Sequence, residues 1–259
     1  MRYLRFNRMS GALFILVCLI MALKWHYESR ARIALGGDIE ISSVQPVQTG
    51  SAAFLGMHSK ERTYVTLSKI QARSVKDSSK TTLATLKSIE KKYPLYGKLE
   101  IKNRQRQPLL DRWRRKAPFG AVVNQALLDA LDIKLGQRFS MGKKIYLANA
   151  LLVQEPDHAD NSEPRILVGK KGASSFIYRR HPNHKTMFYY RAILNQPYDL
   201  DALKSSFQQK FGTDVWSYRD WRDMVPWALR MLDWWLLAAL AALSLLAAKM
   251  QRGFKTSRE

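Results

Sequence analysis

Two long apolar runs, one near each end of the chain, constrain this sequence more than any other feature. The first, Met9 to Trp25, reads MSGALFILVCLIMALKW. As a helix it spans about 25 Å, enough for a bilayer core of ~30 Å with Lys24 reaching the headgroups and Trp25 at the interface. The second, Trp234 to Ala248, has Ser244 as its only polar residue and reaches spanning length when extended from Leu229 to Met250. Trp227, Trp234 and Trp235 gather at its entry, and Lys249, Arg252, Lys255 and Arg258 follow its exit. A cleaved signal peptide competes for the first run, because Arg2, Arg5 and Arg8 form a basic leader, but the following KWHYESR offers no small-residue cleavage site. The expected plan is therefore a short N-terminus (1–8), a first membrane helix (9–27), a folded middle (28–226), a second membrane helix (229–250) and a tail (251–259).

The middle reads as soluble protein and is long enough to bury a core without disulfide or metal staples. Cys18, the single cysteine, lies inside the first apolar run, so the middle is thiol-free, which fits an oxidising compartment. Ile15-Leu16-Val17 before it lacks the small residues of a lipoprotein processing site.

Along the middle, periodicity predicts a mixture of strands and helices. Glu28 to Leu35 continues the first helix until Gly36-Gly37 ends it, and Asp38 to Ser42 alternates as a half-buried strand does. Arg62 to Val75 alternates again, and Thr81 to Ile89 fits either element: its leucines recur every three residues, yet its threonines favour a strand. Tyr93 to Gly97 is turn chemistry, followed by an extended stretch at Leu99 to Lys102. Val122 to Leu131 has the apolar face of an amphipathic helix stopped by Leu135-Gly136. A hairpin follows, with strands at Arg138 to Met141 and Ile145 to Val153, and then a polar, acidic loop from Glu155 to Pro164. Strands at Arg165 to Val168 and Met187 to Leu194 precede a helix from Leu200 to Phe211, opened by Asp199 and closed by Gly212. This order predicts an α+β domain built on a mixed sheet.

Three stretches, ALGGDIEISS after the first helix, KKYPLYGKLEI, and GAVVNQALLDALDIKLGQRFSMGKKIYLANALLVQEPD, resemble the periplasmic core domain of ABC-transporter permeases. The group is the FtsX-like, MacB-type one, including the lipoprotein-releasing permeases and a YbbP-like branch, and the resemblance covers nearly the whole chain. It implies a MacB-type fold, a strand at Thr81 to Ile89, and a bacterial inner-membrane protein with both termini cytoplasmic and its central domain periplasmic. The flanking basic residues alone leave that orientation nearly tied. It also implies partners: an ABC ATPase subunit, a further permease chain, or both. Such permeases continue past the second helix with further membrane helices, whereas this sequence stops at Glu259, so the expectation is a truncated or split permease subunit or the remnant of a longer one.

No catalytic constellation is legible. Gly169-Lys170-Lys171-Gly172 lacks the spacing and the hydroxyl residue of a phosphate-binding loop, and neither G-x-S-x-G nor H-E-x-x-H occurs. The chain is expected not to be an enzyme and to need no cofactor. His181 and His184, and the group Asp157, His158, Asp160 and Glu163, are better read as solvated loop residues than as metal ligands.

Charge is the remaining signal. Of the formal +22, the three N-terminal arginines carry +3 and the tail from Lys249 carries +3 net, which leaves about +16 on the middle and its flanks. Lys102 to Arg106, with Arg104 and Arg106, forms one cluster, Arg112, Trp113, Arg114, Arg115 and Lys116 a second, and Arg179 with Arg180 a third. These are the candidate contacts for an anionic partner: membrane lipid headgroups, an anionic envelope ligand or an acidic protein. Nucleic acid is not expected for a domain held between two membrane anchors. The alternative to a transport role is accordingly a non-transporting, membrane-anchored basic module.

Overall fold

The computed structural model describes residues 2–46, 49–102, 119–158, 160, 162–177, 186–196, 199–212 and 215–231, together with scattered positions of the second apolar run. Its elements in order are α1 (Arg2–Leu35), β1 (Ile39–Ser43), α2 (Thr49–His58), β2 (Ser59–Ser74), β3 (Thr81–Ile89), β4 (Glu100–Lys102) and β5 (Phe119–Val123). There follow α3 (Gln125–Leu131), β6 (Arg138–Met141), β7 (Lys144–Gln154), β8 (Arg165–Gly169), α4 (Lys170–Ile177), β9 (Thr186–Leu194), α5 (Leu200–Phe211), β10 (Ser217–Asp220) and α6 (Trp227–Arg230). The chain divides into two units, Arg32–Asp220 on one hand and Met1–Ala31 with Trp221–Glu259 on the other. Among the described residues no helix is long and apolar enough to cross a membrane.

The strands of the Arg32–Asp220 unit lie in the order β10-β1-β9-β2-β3-β8-β5-β7-β4, and β6 joins β2 to β7. Six strands therefore close on themselves, running β2, β3, β8, β5, β7, β6 and back to β2. The length of β2 makes this closure geometrically simple. Its first part pairs with β9 (Tyr64↔Tyr190) and its last part with β6 (Ala72↔Met141), so one strand edge serves two neighbours in turn.

Alternation along these strands fills the ring. Ile70, Ala84, Leu86, Val123, Phe139, Tyr146, Ile166 and Val168 point inward and form one core with Leu127, Leu128 and Leu131 of α3. A register shift in the β5–β7 pair, where Ala121 faces Ala148 and Val122 faces Ala150, changes the face that β7 presents. Tyr146 and Ala148 belong to the ring interior, whereas Ala150 and Leu152 join an outer cluster with Val65, Ile89, Tyr93 and Leu167.

The strands β9, β1 and β10 form a wing beyond the ring. Ile39, Ile41, Ala192 and Tyr218 bury one of its faces against Phe54 and Leu55 of α2 and Leu203 and Phe207 of α5. The opposite face of the wing carries Glu40, Arg191 and Arg219, which are directly opposed across the three strands.

Most predicted strands fall where alternation placed them. The predicted helix over Val122 to Leu131 is corrected: Val122 and Val123 belong to β5, and Asn124 caps a shorter helix by accepting from the Leu127 amide at 3.2 Å. That helix ends at Asp132, in the left-handed conformation (φ 51°), ahead of Leu135-Gly136. The acidic loop is also corrected, because Glu155 and Asp157 are buried rather than solvated.

Candidate functional site

The wing's charged face continues onto the outer wall of the ring as one chain of ionic contacts. Glu40 sits in the middle of β1, where alternation turns it away from Ile39 and Ile41. Its carboxylate accepts from Arg191 Nε of β9 at 2.7 Å and from Arg219 of β10. Arg191 spans onward to Asp157. Both Asp157 oxygens accept from Lys87 Nζ of β3 at 2.8 Å, and the Tyr93 hydroxyl donates to one of them at 2.5 Å. Lys87 Nζ also donates to Glu155 at 2.7 Å and lies 4.4 Å from the Tyr93 ring centroid. Arg165, at the start of β8, closes the chain by donating twice to Glu155, at 3.1 and 3.0 Å.

Four cations and three carboxylates thus share one buried strip. Lys87, Asp157, Glu155, Arg165, Arg191 and Glu40 all have side chains less than a tenth exposed, and Arg219, at 43%, is the group through which the strip reaches water. Buried charge of this density is tolerable only when each group is paired and hydrogen-bonded. The segment from Tyr93 to Gly97 and the loop from Glu155 to His158 form the roof. The roof is held partly by backbone fit: Gly97 has φ +76°, and a Cβ there would come within 2.6 Å of Pro156 Cβ.

A second hub ties the end of α1 to the same region. Asp38 accepts from Arg32 Nε at 3.0 Å, from the Tyr96 hydroxyl at 3.1 Å and from the Leu194 amide at 2.9 Å. Gly36, with φ +78°, lies directly against the Arg191 guanidinium. The last turn of α1 is therefore fixed to β9 and to the roof.

The electrostatics follow from this pairing. Burial pushes the Asp157 carboxyl up, but Lys87 and Arg191 outweigh it and hold it well below the usual carboxylate range. Burial works against the charge of Arg191, and Asp157 and Glu40 more than restore it. The Tyr93 hydroxyl is driven far up by burial and by the Asp157 and Glu155 charges, so it acts as a donor. Burial, with Asp38 adding to it, raises Tyr96 to about 12.

A group whose folded pKa is depressed contributes stability above its unfolded pKa and loses it as pH falls toward the folded value. Asp157 should therefore contribute fully above about pH 4, the unfolded carboxyl value, and progressively less below it. Denaturant unfolding at stepped pH is expected to show a stability loss on acidification that Asp157→Asn flattens. An equally steep acid slope in the variant would remove Asp157 as its source.

The clusters marked from sequence as anionic-partner contacts, Arg104, Arg106, Arg112, Trp113, Arg114, Arg115 and Lys116 with Arg179 and Arg180, lie outside the described residues, as do His181 and His184. Of the polar group near the acidic loop, Asp157 enters the buried strip while Glu163 pairs with Lys69 at the surface. Among the described residues no set of His, Cys, Asp and Glu side chains is arranged to hold a metal ion. Sequence reading missed the buried strip. Its available signals were Glu40, between Ile39 and Ile41, and Lys87, inside a run otherwise suited to burial.

No family model and no curated protein matches this sequence. Among solved structures, the periplasmic region of MacB from Actinobacillus actinomycetemcomitans aligns at 10% identity with a TM-score of 0.48, covering 73% of this chain and 91% of that one. The extracellular domain of the noncanonic ABC-type transporter YknZ from Gram-positive bacteria aligns at 13% identity and TM-score 0.46, over 70% of this chain and 99% of that one. A domain assigned to a permease of Porphyromonas gingivalis aligns at 13% and 0.45, over 72% and 91%. None of them assigns an activity to this chain.

Proposed function

We propose that this chain is a permease-like subunit of an ABC-type transport system, with a MacB-type domain outside the membrane relaying motion between two membrane helices and a cargo or partner. The observation that carries the reading is the pairing of the domain's first and last strands. Ile39, where β1 begins, is register-paired with Asp220, where β10 ends, so the chain enters and leaves the domain through neighbouring strands at one end of the sheet. That arrangement suits a domain whose two flanking apolar runs return to a single membrane. The Asp38 hub and the buried ionic strip supply stiffness where a moving helix would pull on the sheet.

In this reading the spans are 9–27 and 229–250, the domain is 28–226, the termini are cytoplasmic, and the membrane is the bacterial inner membrane. The branch is FtsX-like, YbbP-like or lipoprotein-releasing. The chain's part is mechanical, and ATP is hydrolysed by a separate subunit. Affinity purification of the full chain from alkali-washed native membranes in mild detergent tests this. Retention of the chain in the washed membranes, with co-purification of an ABC ATPase or a multi-helix permease, is expected. Release by the wash, or recovery of the chain alone, would overturn the proposal.

A further inference from the structure

The face of the sheet that carries the ionic strip is roofed only over part of its length. Beyond Thr85 and Lys69 it emerges as the bare outer wall of the ring, crossing β3, β2, β6 and β7. Register fixes what this wall displays. Arg73 of β2 lies between Thr81 of β3 and Ser140 of β6, and Ser140 in turn faces Ile145 of β7. Leu83 is one residue pair further along β3, opposite Gln71, and Arg138 is two residues before Ser140 on the same face of β6.

Alternation in a closed ring requires this face to be outward, but it does not require it to be apolar. Leu83 is 60% exposed, Val75 50% and Ile145 41%, and they sit among the exposed cations Arg73, Arg138 and Lys76. Among the described residues two acids border the wall: Asp77, whose Oδ1 accepts from the Ser79 amide at 2.9 Å and hydroxyl at 2.7 Å, and Glu163, which pairs with Lys69, so the cations are in excess. Exposed apolar side chains rimmed by polar and charged groups are the pattern of an interaction surface, and here the rim carries a net positive charge.

We propose that this wall docks an acidic partner protein whose carboxylates alternate with apolar side chains. Charge decides among the occupants. The chain's own segments 103–118 and 178–185 are strongly basic in sequence and do not complement the wall. A second copy meeting the same face would set arginine against arginine. A bilayer is disfavoured by position, and that step rests on the anchoring proposed above. Arg62 is level with Ile39 and Ala192 at the entry end, and eleven residues of β2 then carry the strand roughly 35 Å to Arg73.

The test uses the full chain in nanodiscs of zwitterionic lipid, with a fluorescent peptide of about 12 residues alternating Glu and Val as probe. Binding that weakens with added salt is expected. Arg73→Glu with Arg138→Glu should lower affinity about tenfold or more, and Leu83→Ser roughly threefold. Circular dichroism checks that the fold is unchanged. The doubly reversed variant should instead bind a Lys/Val peptide, a gain that misfolding could not produce. Unchanged affinity in the reversed variant, or failure of the swapped pair, overturns the proposal. Anionic vesicles binding the full chain in the peptide's place, with loss on reversal, would identify a lipid surface and overturn it as well. Release of the chain by alkaline washing would refute the anchoring while leaving the peptide result standing.

Discussion

Lys87→Met is expected to lower the stability of the domain by about 3–5 kcal/mol, the scale on which removing one member of a buried ionic group leaves the rest uncompensated. Among the described residues Lys87 is the sole cation that touches both Glu155 and Asp157, and it also accounts for a hydrogen bond to Tyr93. After the substitution Asp157 retains Arg191 and Glu155 retains Arg165, but the two carboxylates share no counterion between them. Methionine fills most of the volume, so the loss reports charge and not a cavity. Thermal unfolding of the full chain in mild detergent, followed by circular dichroism, would register it. For a unit of this size the melting temperature should fall by about 10 °C or more. A Lys87→Met chain that melts within a degree or two of wild type would mean that the strip is open to water.

The strip was not legible in the sequence because its members come from far apart. Asp157 is 70 residues from Lys87 and 34 from Arg191, and Glu40 is 151 from Arg191. Local periodicity reports which face a side chain takes, and it placed Glu40 and Lys87 among apolar neighbours without saying what would meet them there. Glu155 to Pro164 therefore read as a polar loop and Asp157 as solvated. The closure of the ring was hidden for the same reason: nothing in Arg138 to Met141 announces that its second neighbour is the far end of β2. By contrast the strands Lys144–Gln154 and Thr186–Leu194 and the capped helix Leu200–Phe211 were readable, since alternation and the Asp199 and Gly212 caps act within a few residues, whereas the periodicity of Thr81–Ile89 fitted helix and strand alike and the family resemblance implied the strand. The helix Thr49–His58 escaped notice, because TGSAAFLGMH has little periodicity and takes its stability from Phe54 and Leu55 packing into the wing.

Gly36→Ala tests whether the end of α1 is mechanically tied to the strip, as a relay would require. Two costs are expected together. Gly36 has φ +78°, a conformation that strains any side chain by about 1–3 kcal/mol. Its new Cβ would also stand 2.6 Å from Arg191 Nη1, the nitrogen that donates to Asp157, so the guanidinium must move and weaken that bond. The sum should be roughly 3–5 kcal/mol, well above what strain alone accounts for. Gly136→Ala supplies the contrast, since Gly136 has φ +88° but no heavy atom within 4 Å of the built Cβ, and it should show the strain only. A double-mutant cycle isolates the steric part. With Arg191→Ala already present the clash partner is gone, and Gly36→Ala should then cost no more than Gly136→Ala, giving a coupling of about 2 kcal/mol. Additive effects would show that Gly36 and Arg191 move independently, and a pull on α1 would then have no route through this contact to Asp157.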